Sequence, residues 1–231
     1  MRRNEIRQML RTIERECQLA ASLTGRPVLE HRVLQALTEV PRERFVPPEM
    51  APYAYADNAL PIGSGQTISQ PFIVALMTDL LEPAGDDRIL EIGTGSGYQA
   101  AVLSRLVGQV YSIEILPELA RLAAERLKSL GVRNVEVRSG DGYQGLAQEA
   151  PFDGIIVTAA ASHVPPPLIA QLKAGGRLVI PVGLPYHHQE LLLVAKEYSG
   201  EVRTRSVLGV AFVPLTGDHP LPKPGSSQEV P

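Results

Sequence analysis

The sequence predicts an α/β protein: a doubly wound, mostly parallel sheet with an N-terminal helical cap and a C-terminal antiparallel hairpin. Three observations predict it. From Arg88 onward, short β-branched runs alternate with stretches of helical periodicity, the pattern of βαβ units with helices on both faces of a sheet. A glycine-rich turn, Gly93-Thr-Gly-Ser-Gly97, directly follows the first of these runs, as it does where open α/β sheets bind nucleotides. The residues before the sheet are charged and punctuated by Pro41, Pro47, Pro48 and Pro52, a poor source of strands.

Composition narrows the class. With 231 residues, 44% of them hydrophobic, the chain suits one domain, or one domain with an appendage. A formal net charge of -3 argues against a polybasic nucleic-acid binder. The single cysteine, Cys17, excludes an internal disulfide framework and fits a reducing cytosol. No apolar segment follows the charged start, and no uncharged apolar run approaches the roughly 20 residues of a spanning helix. A cytoplasmic monomer is expected, with neither a nucleic-acid nor a membrane partner.

The elements follow in order. Residues 1–60 read as the helical cap and not as a catalytic unit. Within it, Ile6, Met9, Leu10, Ile13, Cys17 and Leu19 recur at helical spacing over 2–23, and Gly25 and Pro27 end that helix. A second helix, 29–39, carries Val33, Leu34 and Leu37 on one face. The core spans 61–216. Its first stretch, 60–71, is rich in glycine and hydroxyls and leads into a helix near Pro71 that buries Ile73, Leu76, Met77 and Leu80. The sheet then runs through strand Arg88–Ile92, a helix over 97–107, strand Gln109–Glu114 and a helix opened by Pro117 and ended by Gly131. Strands over 135–138 and 153–158, a helix over 165–173 and a strand over 176–181 complete the alternation. Segments 190–195 and 202–213 flank Ser199-Gly200 as a hairpin at one end of the sheet. The tail, 217–231, rich in proline, glycine and serine, is expected to be disordered.

The candidate site gathers at the carboxyl ends of the strands. Gly93, Thr94, Gly95 and Gly97 form a turn over which a nucleotide-like ligand can lie. Glu114, ending the second strand, is placed to accept from ribose hydroxyls, a position shared by nicotinamide and S-adenosylmethionine sites. A dinucleotide would also match Gly95, Gly97 and Ala100. Glu91, just before the glycines, favours a cationic cofactor without phosphate, because a carboxylate beside a pyrophosphate is repulsive. Asp141, followed by Gly142 after the third strand, is placed to accept from an adenine amino group. No Tyr-x-x-x-Lys pair supports an oxidoreductase. The residues after the fourth strand, Thr158-Ala-Ala-Ala161, lack the Asn/Asp-Pro-Pro-aromatic element of base amino-methyltransferases, and Pro165-Pro-Pro167 reads as a helix start. The five histidines are scattered, His187-His188 reads as solvated, and no metal site is predicted.

The run Gly65-Gln-Thr-Ile-Ser-Gln-Pro71, with Glu91-Ile-Gly-Thr-Gly-Ser-Gly-Tyr98, Gly140-Asp-Gly142, Ala150-Pro-Phe-Asp-Gly-Ile-Ile-Val-Thr158 and Phe212-Val-Pro-Leu215, closely resembles the protein-L-isoaspartate O-methyltransferase family. The resemblance extends from Val40 to Thr216; the long N-terminal helix and the tail lie outside its pattern. It implies the Rossmann-like fold of class I S-adenosylmethionine methyltransferases, S-adenosyl-L-methionine as cofactor with S-adenosyl-L-homocysteine as product, and isoaspartyl-containing proteins and peptides as substrates. The methylated group is the isoaspartyl α-carboxylate, and the ester recloses to a succinimide that reopens partly to L-aspartate. An α-carboxylate with an ordinary pKa of about 3.3–3.7 is already nucleophilic at neutral pH and needs no general base. Ser69 takes the family's active-site serine position, holding the carboxylate with Thr67 and not attacking it; Val213 and Thr216 match a segment near peptide and cofactor. The competing readings are an O-methyltransferase for a small-molecule carboxylate, a nicotinamide oxidoreductase and a non-catalytic binding module.

Overall fold

The computed structural model describes residues 2–185 and 187–217; the predicted tail therefore lies outside the described residues except for Gly217. The cap comprises α1 (Arg2–Leu19), α2 (Ala21–Thr24) and α3 (His31–Glu39), followed by two 3₁₀ turns, Arg42–Phe45 and Pro48–Tyr53. The long first helix breaks at Ala20, and Gly25, with φ +68°, caps α2. Next come a small hairpin, β1 (Leu60–Gly63) and β2 (Gln66–Ile68), and α4 (Pro71–Leu80). The main sheet holds β3 (Arg88–Ile92), β4 (Gln109–Glu114), β5 (Val135–Ser139), β6 (Phe152–Val157), β7 (Leu172–Gly183), β8 (Gln189–Lys196) and β9 (Val202–Val210). It is interleaved with α5 (Tyr98–Leu103), α6 (Pro117–Ser129) and α7 (Pro166–Gln171).

The strand order is β5-β4-β3-β6-β7-β8-β9, parallel through β7 and antiparallel for the last two strands. The predicted doubly wound sheet with its terminal hairpin is present. The order reverses between β3 and β6, and the crevice outside the carboxyl ends of the strands at such a switch point is where ligands bind. Three elements are shorter than predicted: α5 ends at Leu103 and not at 107, β9 ends at Val210 and not at 213, and β7 begins at Leu172, pairing with Phe152 across a register shift, so α7 does not fill the expected 165–173.

Successive side chains of a strand point to opposite faces, and here both faces are covered. Ile89, Val110, Ile156 and Val179 face a thick helical layer and share one core with Ile13 of α1, Leu37 of α3, Leu76 of α4 and Val102 of α5. Leu90, Ile92, Ile155 and Leu178 face Leu168 of α7 and Leu146. The cap is thus no appendage. Its core is continuous with that of the sheet, and α4, packed beneath α1 and α3, is buried at all ten positions and not only on the four predicted. A helix apolar on all sides is what an interior position requires. Among the described residues no helix is long and apolar enough to cross a membrane.

Candidate active site

The turn after β3 is fixed by its glycines. Gly93 (φ +96°), Gly95 (φ +53°) and Gly97 (φ +88°) are all left-handed, a conformation that side chains with a Cβ disfavour. At Gly93 a Cβ would also stand 2.5 Å from Thr158 Oγ1. Gly97 serves differently: it caps α5, and a Cβ there would meet Ala123 and Leu127 of α6 at 3.4 Å, so it sets helix packing and lines neither the cleft over the turn nor the cavity beside Ser69. Glu114 holds the turn from β4, accepting from the Gly95 amide (2.8 Å) and the Leu116 amide (3.0 Å). One lone pair on each of its oxygens stays available to a ligand.

A narrow cleft of about 50 Å³ runs over these groups, walled by Gly93, Gly95, Glu114 and Gly142 below and by Val213 to Thr216 above. Two bonds hold that upper wall: the Ala160 amide donates to the Val213 carbonyl and the Leu215 amide to the Ala160 carbonyl, both at 2.8 Å. Asp141 stands next to Gly142, accepting from the Tyr143 amide at 2.9 Å, with Gly217 packed against its carboxylate.

Glu91 departs from expectation. It shares the parity of Ile89, so its side chain turns into the helix-covered face, fully buried and outside every wall of the cleft. Burial, reinforced by the nearby Glu114 charge, pushes its pKa up to about 8 against the opposing bond from Ser112. That raised value favours the neutral acid, which weakens the repulsion expected against a dinucleotide. Ser112 bonds Glu91, and its hydroxyl stands 2.6 Å from that of Thr94.

The cleft opens at Thr67 and Thr158 into a groove of about 590 Å³, walled by Ser69, Asp57, Asn58, Glu16, His188 and the strip from Leu208 to Val213. Between the two, a cavity of about 40 Å³ brings Ser69 and Thr67 together with Thr94, Gly93, Tyr98 and Thr158. Ser69 could have been a helix cap, but the cap of α4 is Asp57, which accepts from the Phe72 amide (2.9 Å) and from Gln70 Nε2 (2.7 Å). The Ser69 hydroxyl makes no hydrogen bond among the described residues; only its carbonyl is engaged, by Arg42. Arg42 is fully buried. Its guanidinium donates to the carbonyls of Ala54 (2.8 Å), Asn58 (3.4 Å) and Ser69 (2.7 Å) and lies 4.8 Å from the centroid of the Tyr98 ring. Desolvation lowers its pKa from the usual arginine value.

Substrate pairing along 213–216 meets an obstacle. The Val213 carbonyl and the Leu215 amide are already spent on Ala160, and Pro214 between them has no amide to donate. The open edge beside the groove is that of β9, the last strand of the sheet. The segment between them is set by Gln189, whose side-chain amide accepts from the Phe212 amide (2.7 Å) and donates to the Phe212 carbonyl (3.1 Å). Arg42, Asp57, Thr158 and Gln189 were not singled out from the sequence. Arg42 and Thr158 carried a signal, each lying in a segment of the family resemblance, Val40–Val46 and Ala150–Thr158.

Comparison with known proteins agrees with this geometry. The profile of the protein-L-isoaspartate(D-aspartate) O-methyltransferase family matches residues 7–220. A protein-L-isoaspartate O-methyltransferase 2 of Syntrophobacter fumaroxidans is 57% identical over 92% of this chain and 86% of its own length. That of Nitrosococcus oceani is 57% identical over 94% and 98%. Among solved structures, a protein-L-isoaspartate O-methyltransferase superposes with a TM-score of 0.79 at 30% identity over 94% of this chain and 67% of its own. A Plasmodium falciparum structure named for the same activity, in complex with S-adenosyl-L-homocysteine, gives a TM-score of 0.71 at 25% identity over 87% and 97%. With the glycine turn, the Ser69 junction and the sheet order all in place, the chain belongs to the protein-L-isoaspartate(D-aspartate) O-methyltransferase family.

Proposed function

We propose that the site moves the methyl group of S-adenosyl-L-methionine to the α-carboxylate of L-isoaspartyl residues in damaged proteins and peptides, the first step of a repair that passes through a succinimide. One arrangement supports it: a narrow nucleotide cleft and a much larger groove meet at Thr67, Thr158 and Val213, with the unengaged Ser69 hydroxyl beside them. A groove of about 590 Å³ suits a polypeptide better than a small carboxylate.

The cleft fits the cofactor chemically. Glu114 retains lone pairs for ribose hydroxyls, Gly93 and Gly95 leave the backbone bare, and Gly142, packed on Ile92, lines the cleft next to Asp141, which would accept from an adenine. Thr94 lies at the cavity that joins cleft and groove. Once bound, the cofactor supplies an electrophilic methyl group on a sulfonium. The protein has no proton to move. Ser69 and Thr67 orient one substrate oxygen towards the cavity, and Val213 and Thr216 wall the path between peptide and cofactor. Such alignment lowers a barrier by roughly 7–11 kcal/mol in favourable cases. The cap contributes one wall of the groove through Glu16, Asp57 and Asn58. The enzyme works as a cytoplasmic monomer, a setting in keeping with its one buried cysteine.

The test is labelled methyl transfer to an isoaspartyl peptide and to its aspartyl twin. A base-labile ester on the first alone is expected. Equal labelling of both, or of neither, overturns the assignment.

A further inference from the structure

Beneath the glycine turn, Glu91, Ser112 and Thr94 form a row of oxygens. Glu91 and Ser112 are fully enclosed, while Thr94, 4% exposed, reaches the wall of the cavity beside Ser69. Ser112 Oγ bonds Glu91 Oε2 on one side and lies 2.6 Å from Thr94 Oγ1 on the other. A count of protons decides what the row presents to the cavity. If Glu91 is ionised, the row holds two protons for two bonds: Thr94 donates to Ser112, Ser112 to Glu91, and Thr94 shows the cavity only lone pairs. If Glu91 is a neutral acid, the row holds three protons for the same two bonds. With that proton on Oε2, the oxygen that faces Ser112, Glu91 donates to Ser112, Ser112 to Thr94, and the Thr94 proton is left over, free to enter the cavity.

We propose that Glu91 is a positioning residue that acts through Ser112, polarising the row so that Thr94 donates its hydroxyl proton to the carboxylate at the amino-acid end of the bound cofactor. The inference rests on the S-adenosylmethionine reading above and adds a residue that touches neither substrate nor cofactor.

The geometry favours the neutral acid. Glu91 Oε1 makes no hydrogen bond, and leaving an ionised oxygen unpaired in the interior costs far more than leaving a carbonyl. The surroundings add little charge. β4 brings Ser112 and, two residues on, the Glu114 carboxylate; β6 brings Ile156 in register. From α5 the Ala100 amide favours the anion, while Tyr98 lies against Arg42 and Gln99 is bound to Thr78. Glu114 is the one charge acting on Glu91 among the described residues, and it favours protonation; burial does the rest, holding the group up to about 8.

The test is calorimetric binding of S-adenosyl-L-homocysteine from pH 6 to 10. The wild type is expected to lose about tenfold in affinity as pH rises through about 8, beyond any loss in Glu91→Gln, whose amide donates to Ser112 at every pH. Ser112→Ala, which cuts the row, should also be flat relative to the wild type. The ligand's own amino group titrates identically in all three proteins, so the difference between curves is the readout. Parallel curves for wild type and Glu91→Gln overturn the inference while leaving the cofactor reading intact; absence of binding by the wild type at pH 7 overturns that reading instead. Infrared spectra of the ligand-free wild type give a measurement that needs no variant. A carboxylic-acid carbonyl band present at pH 7 and lost by pH 9 is expected, and its absence at pH 7 is fatal.

Discussion

The nucleotide cleft and the larger groove meet at the same two threonines, Thr67 and Thr158, yet they are built differently. The floor of the cleft comes from the ends of adjacent strands and the turns just beyond them, Gly93, Gly95, Glu114 and Gly142, with Val213 to Thr216 laid over it. The groove takes its groups from six places, from Glu16 in the first helix to Val213 near the end of the described chain. Hydrogen bonds inside the sheet set the first. The second is set by long-range ties, of which the Arg42 fork to Ala54, Asn58 and Ser69 and the Gln189 clasp on Phe212 are the chief ones. Damage should therefore stay on the side where it is made, with cleft variants failing in cofactor affinity and groove variants failing with peptide.

The sharpest break is expected at Gly93. Gly93→Ala forces a left-handed φ on a residue with a Cβ and drives that Cβ towards Thr158 Oγ1, 2.5 Å away. Strain of about 1–3 kcal/mol falls on the turn itself, and affinity for S-adenosyl-L-homocysteine should drop roughly a hundredfold. Calorimetry measures it; a drop under threefold would mean that the turn relaxes and that the cleft is softer than its hydrogen bonds imply.

Ser69 tests the junction. Ser69→Ala removes a hydroxyl that satisfies nothing in the described structure, so the fold should lose less than about 0.5 kcal/mol. Turnover on an isoaspartyl peptide should fall about 10- to 100-fold, towards the range seen when one positioned donor is removed from an active site, with cofactor affinity unchanged. Unchanged turnover would demote Ser69 to packing.

Arg42 tests the groove. Arg42→Met removes three donors to the backbone at once and is expected to cost about 2–4 kcal/mol in urea denaturation. It should also raise the peptide KM about tenfold while S-adenosyl-L-homocysteine affinity moves less than threefold. Arg42→Lys should not rescue it, because an ammonium cannot reproduce the planar fork over the Tyr98 ring. Equal losses in peptide and cofactor binding would erase the distinction between the two regions.

The same contrast explains what was legible beforehand. The sheet was legible because each strand is a local β-branched run and each turn carries its own glycine or proline; Arg88–Ile92 and Gln109–Glu114 were read to the residue. Gly93, Gly95, Glu114 and Gly142, which line the cleft, stand at those local turns and strand ends. The β1–β2 hairpin was not, since strands of four and three residues, one containing Pro61, leave no period to detect. Arg42 looked like one more charge in a polar cap, and only tertiary packing makes it a buried fork. Glu91 could have been placed better. A central parallel strand is covered on both faces, so an acid in its middle is interior whichever way it points.

The last prediction concerns that acid and is read in stability, not in binding. The folded protein binds the Glu91 proton up to about 8, against an ordinary value of 4.5. Below 4.5 both folded and unfolded chains hold the proton, and Glu91's contribution to stability is complete. Between 4.5 and about 8 only the folded protein holds it, so stability falls as pH rises, by up to ~1.4 kcal/mol per pH unit. Above 8 the contribution is gone. Glu91→Gln has no such proton to lose. Its urea midpoint relative to the wild type should improve steadily from pH 5 to pH 8 and level off beyond. Two midpoint curves that stay parallel across that window would mean that Glu91 is ionised in the folded protein, and would return it to the role of a charged neighbour of the cleft.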